Sequence, residues 1–112
     1  MGRKKVYYKY NHPDSLVHIV EALISDHPRR ERMITYSAEG DNVLAEYRRL
    51  NTIIDEATAS LEPELARIIC IDIINHNGYA RSKAAQFTAK RTYYRRKTML
   101  IHDIAKALDL IT

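Results

Sequence analysis

Between Asp72 and Asp103 the chain carries Arg81, Lys83, Lys90, Arg91, Arg95, Arg96 and Lys97 and no carboxylate. Like charges gathered in one stretch repel unless a polyanion neutralises them, so a nucleic acid is the natural partner, with a solvated basic face as the plain alternative. Solubility alone does not ask for such segregation, because mixed charges serve it better. The residue types sharpen the reading. In Lys90-Arg91-Thr92-Tyr93-Tyr94-Arg95-Arg96-Lys97, arginine offers the paired donors that read guanine, threonine a methyl for thymine, and lysine or tyrosine a donor for phosphate oxygens. On that chemistry Arg91, Thr92, Arg95 and Arg96 are the expected base-reading residues. Arg81, Lys83, Lys90, Tyr93 and Lys97 are the expected phosphate contacts.

Such side chains work only if one helix is held out from a packed body. The stretch 80–100 has the grammar of a helix-turn-helix: a short helix over Arg81–Phe87 with Ala84, Ala85 and Phe87 available for packing, a tight turn, then a long helix reaching Leu110. Rotation at about 100° per residue puts Tyr94, Ile101, Ile104, Ala105, Leu108 and Ile111 on its inward side. Thr92, Arg95, Arg96 and Met99 fall opposite, with Arg91 and Thr98 on a flank. Ala89 stands where a capping serine is common, so Thr88 is the expected cap.

The body is legible upstream. Leu16, Ile19, Val20 and Leu23 recur at helical spacing after Asp14 or Ser15 as caps, with Pro28 expected to stop that helix. A short helix over Arg29–Tyr36 is open, and Ser37 to Asp41 reads as a loop. From about Asn42 to Ala59, Val43, Tyr47, Leu50, Ile54, Ala57 and Leu61 form a seam for helix packing, within the chain or in a homodimer, and Leu44 and Ile53 widen it. Leu61-Glu62-Pro63-Glu64 opens a helix through Ile74, with proline and acids where a helix start favours them. Its run of Ile68, Ile69, Cys70, Ile71, Ile73 and Ile74 would also suit a buried strand, but no second strand of similar quality exists to pair with it. The expected fold is all-α: a small bundle of about five helices ending in a helix-turn-helix with a long C-terminal helix.

From Leu61 onward the chain resembles the sigma-factor region-4-like module of phage late-gene transcriptional regulators of the RinA and ArpU type. The resemblance rests on Leu61-Glu62-Pro63-Glu64, Ile68-Ile69, Thr92-Tyr93-Tyr94-Arg95-Arg96-Lys97 and Ile104-Ala105-Lys106-Ala107-Leu108. It departs at Ala89, where serine is common, and at Asp109, where a glycine often follows the last leucine. What it implies is a cytoplasmic regulator in a bacterial host that binds double-stranded DNA upstream of late or packaging genes and helps RNA polymerase start there. The implied organisation is a basic flexible arm over 1–12, packing or dimerisation helices over 13–60, and the DNA-binding module over 61–112.

Other readings stay open beside it. A DNA-packaging component of the small terminase type and a helical protein-interaction adaptor both suit an all-α basic chain. In the arm, Arg3, Lys4, Lys5 and Lys9 alternate with Tyr7, Tyr8 and Tyr10, which would either track phosphates or let the tyrosines pack on the bundle. No catalytic role is expected, since neither serine nor Cys70 has a recognisable base, and Asp55-Glu56 diverge on a helix. His12, His18, His27, His76 and His102 lack metal-ligand spacing, so neither a metal nor a cofactor is expected. One cysteine excludes an internal disulfide, and no apolar run is long enough for a membrane span. The first residues, Met1-Gly2-Arg3-Lys4-Lys5, have no apolar core behind their charges, so no signal peptide is expected.

Overall fold

The computed structural model describes residues 10–37 and 42–111. The expected arm cations, together with Tyr7 and Tyr8, and most of the loop before Asn42 lie outside the described residues. The fold is all-α. The helices are α1 (Asp14–Ser25), α2 (His27–Tyr36), α3 (Asn42–Ser60), α4 (Pro63–Ile74) and α5 (Lys90–Ala107), with two 3-10 turns, Tyr79–Arg81 and Lys83–Gln86, between α4 and α5.

The isoleucine run is helical, and helical period decides which of its members go inside. Leu65, Ala66, Ile69, Asp72 and Ile73 share the buried face of α4, whereas Ile71 is 43% exposed. That face meets α1, α3 and α5, which makes α4 the central helix. Val20 and Ile24 from α1, Ile54 and Ala57 from α3, and Leu100, Ile101, Ile104 and Ala105 from α5 complete the core. The stretches 13–60 and 61–112 therefore share one core. Burying each large side chain of this set stabilises the fold by about 1.5–3 kcal/mol, an upper range set by an extended unfolded chain.

Local rules explain where expectations shift. Pro28 does not stop α1; it lies in the first turn of α2, where its missing N–H costs nothing, and Asp26 alone joins the two helices. The N-cap position of α1 is Pro13 and not Asp14 or Ser15, and Asp14 instead supplies the acid of the first turn. On α3, Leu44, Ile54 and Ala57 of the expected packing face are buried and Asn51 joins them, while Val43 is 54% exposed. The short helix expected over Arg81–Phe87 is replaced by the two 3-10 turns, because Ser82 interrupts it: its Oγ caps the second turn by accepting the Ala84 N–H at 3.0 Å. The last helix stops at Ala107, three residues before Leu110, and Asp109 takes a left-handed φ of 60° where glycine is easier.

A buried polar cluster that the hydrophobic pattern does not reveal ties α1, α2 and α3. Arg30 is only 2% exposed; its Nε donates to Asn51 Oδ1 at 2.7 Å, and its remaining nitrogens reach Asp26 and the Leu23 carbonyl. Asn51 in turn donates to the His27 carbonyl and to Glu31, each at 3.2 Å. Each of the three guanidinium nitrogens thus has an acceptor, the condition under which a buried charge is tolerated. Burial still pulls the Arg30 pKa down from its ordinary value.

Candidate nucleic-acid interface

The turns before α5 are fixed to its first residues by aromatic packing. Tyr93 is buried, with its ring edge-on to Tyr79 (5.3 Å between centroids) and Tyr94 (5.0 Å). The Tyr79 N–H donates to the Tyr94 hydroxyl at 3.3 Å, and the Tyr79 hydroxyl donates to the Thr88 carbonyl. Ala84 is fully buried, small enough to let the second turn approach the core. The result is a compact segment of two 3-10 turns docked on the start of a long helix.

Arg81, Lys83, Lys90, Arg91 and Arg95 are exposed on this segment. Arg91 and Arg95 stand four apart on the outer face of α5, and Lys90 is its first residue. Thr92 is half-buried. The N-cap position of α5 is Ala89 and not Thr88, and it makes no side-chain cap hydrogen bond. A helix start flanked by cations is a favourable place for phosphate oxygens.

Three expected contacts are corrected. Tyr93 does not face a phosphate: it is 1% exposed, and its hydroxyl donates to the buried Asp72 carboxylate at 2.7 Å. Burial, and then the Asp72 charge, push its pKa upward, so it remains a neutral donor. The cause is helix phase: Tyr93 and Leu100 join the expected Ile101, Ile104 and Ala105 on the buried face of α5. Arg96 is turned toward the body. Its Nη2 donates to Glu62 Oε1 at 3.0 Å, its side chain is 27% exposed, and its Nε is buried without a hydrogen-bond partner. Lys97 sits 3.1 Å from Glu21 Oε2 of α1 and over the Tyr94 ring at 6.0 Å. Both pairings join α5 to residues far away in sequence, so no local spacing announces them. Phe87, expected in packing, is instead 57% exposed.

Elsewhere, Tyr10 stacks on His102 (3.5 Å between centroids), and His12 Nε2 lies 2.9 Å from His102 Nδ1. At least this tyrosine of the arm packs on the bundle. His27 and Glu31, four apart on α2, meet Asp55 of α3 with donor atoms within 4.8 Å of one another. The spacing of the histidines alone hides that grouping because its third member comes from another helix. His27 Nε2 and Asp55 Oδ1 hydrogen-bond to each other at 2.9 Å, and Glu31 accepts from Asn51. His27 and Asp55 border a groove of about 610 Å³ lined also by Ile54, Ile71, Ile74 and Cys70. Burial raises the Cys70 thiol pKa, which fits a structural and not a nucleophilic cysteine.

Among the described residues no helix is long and apolar enough to cross a membrane. Comparison with protein-family models, curated proteins and solved structures finds no match.

Proposed function

We propose that this protein is a sequence-specific double-stranded DNA-binding transcriptional regulator, of the phage or prophage late-gene kind that its C-terminal half resembles. The observation that carries the reading is the exposure of Arg81, Lys83, Lys90, Arg91 and Arg95 on one rigid turn-and-helix segment, in a chain whose acids lie elsewhere. Arg91 and Arg95, with Thr92 at their edge, read bases. Arg81, Lys83, Lys90 and the α5 start hold phosphates. Arg96 and Lys97 hold the reading helix to Glu62 and Glu21. A single module of this size buries limited DNA surface, so useful affinity calls for a second copy or a contact with RNA polymerase.

Selection of bound duplexes from a random pool at two salt concentrations tests this directly: an enriched motif establishes specificity, and the salt slope counts phosphate contacts. On the selected site Arg95→Ala costs about 1–3 kcal/mol and relaxes one position, while Lys83→Ala weakens all sequences alike. No enrichment at either salt sinks the specific reading.

A further inference from the structure

The chain has one phenylalanine, and it is not in the core. Burying such a ring stabilises a fold substantially, so a sequence that leaves Phe87 57% exposed forgoes that gain. The exposure is not fraying. The Phe87 N–H donates to the Ala84 carbonyl at 3.0 Å, the Thr88 N–H donates to the same carbonyl at 2.8 Å, and the Tyr79 hydroxyl holds the Thr88 carbonyl from the other side. The ring is thus displayed from a backbone fixed on both flanks. Gln86, Ala89, Lys83, Lys90 and Arg91, all within four residues of it in the chain, are exposed as well. An apolar protein surface would not be matched by exposed cations so near in the chain, whereas a nucleic acid presents phosphates for the cations and aromatic faces for the ring.

We infer that Phe87 stacks on a nucleobase, and that the preferred ligand of this site is DNA with a locally unstacked step, kinked or melted, and not a uniformly stacked duplex. The inference rests on the DNA-binding reading above and adds the state of the DNA. The cations and helix start of α5 give sequence-independent attraction to either form. The ring adds contact only where a base face is accessible, because an apolar wedge must unstack a paired step to enter it. A mismatched step offers that face at lower cost than a paired one.

The test compares a labelled duplex with the same duplex carrying adjacent mismatches at its centre, by fluorescence anisotropy at low salt. Wild-type protein is expected to bind the mismatched duplex about tenfold more tightly, and Phe87→Ala to erase that difference while leaving the paired duplex unaffected. Phe87→Ala removes an exposed ring, and circular dichroism checks that the helices persist. The chain contains no tryptophan, so Phe87→Trp places a single reporter at the site, and its emission is expected to be quenched on binding the mismatched duplex. Equal affinity for the two duplexes, a preference that survives Phe87→Ala, or unquenched Trp emission at saturation overturns the stacking role while leaving DNA binding in place. Failure to bind either duplex overturns both readings.

Discussion

Tyr93 and Asp72 show how one hydroxyl can change the meaning of a motif. In the string Thr92-Tyr93-Tyr94-Arg95-Arg96-Lys97 the tyrosine hydroxyl looks like a phosphate donor, yet inside the bundle it is the partner of a 4% exposed carboxylate. Replacing Tyr93 by Phe leaves that carboxylate without its donor, and an orphaned buried polar group costs about 1–3 kcal/mol. Urea denaturation of Tyr93→Phe is therefore expected to show a loss of that size, with the duplex affinity of the folded variant unchanged. A variant as stable as wild type with weakened DNA binding would restore Tyr93 to the interface. Asp26 makes a second case at this scale. Hydrogen bonds from Arg29 hold its carboxyl below the ordinary 3.8, with Arg30 adding attraction. A carboxyl whose folded pKa is lowered contributes stability above its unfolded value and loses it as the pH falls through the folded one. The link between α1 and α2 is expected to weaken below about pH 4, and Asp26→Asn to flatten that part of the stability profile; because the group is over one-third exposed, solvent screening keeps the effect small. Acid unfolding curves of the two proteins that superimpose would show that the pairing has no consequence for stability.

At the scale of elements, α4 is where composition and periodicity most nearly compete. Six β-branched or small apolar residues among seven, broken only by Asp72, suit a strand by propensity, but the helical repeat sorts them into unequal roles. Ile69 is fully buried, and Ile71, two residues on, is 43% exposed. Ile69→Ala should cost about 2–5 kcal/mol, while Ile71→Ala should cost under about 1 kcal/mol, measured by thermal or urea unfolding. Equal costs would place α4 in a different register against its neighbours. The same comparison shows what could be read in advance. Strongly periodic segments such as Leu16–Leu23 and the Leu61–Ile74 helix, with proline and acids at its start, announce their type because those preferences act over a few residues. What escaped was phase and pairing: the inward turn of Tyr93, the Arg30–Asn51 link at 2.7 Å, and the pull of Glu62 on Arg96. Each depends on a partner at least twenty positions away, and a polar side chain gives no sign in its own segment of whether such a partner exists. The cationic stretch was visible as a list of charges; which of them face outward was not.

For the whole molecule, the division of charge between stability and binding is the quantity that decides how the surface works. Two of the seven cations are drawn back onto the body by Glu62 and Glu21, so the phosphate contacts made in a complex should be fewer than the charge count suggests. Salt dependence measures this number, since each neutralised phosphate steepens log K against log salt by about 0.9 on duplex DNA. Glu62→Gln removes the charge that holds Arg96 while keeping the side chain's size, and the pair is exposed enough at Glu62 that folding should change by at most about 1 kcal/mol. If Arg96 then reaches the backbone of bound DNA, affinity rises several-fold at low salt and the slope steepens by about one contact. Glu21→Gln should act likewise through Lys97. Removing any nearby negative charge also raises affinity through the long-range field, and Glu64→Gln supplies that control from the same end of α4. The slope separates the two effects: the control raises affinity with little change in slope, whereas a released cation changes both. Unaltered slopes in Glu62→Gln and Glu21→Gln would mean that Arg96 and Lys97 are fixed by the packing of α5 itself, and that the acids only accompany a geometry already set by Tyr93, Leu100 and Ile104.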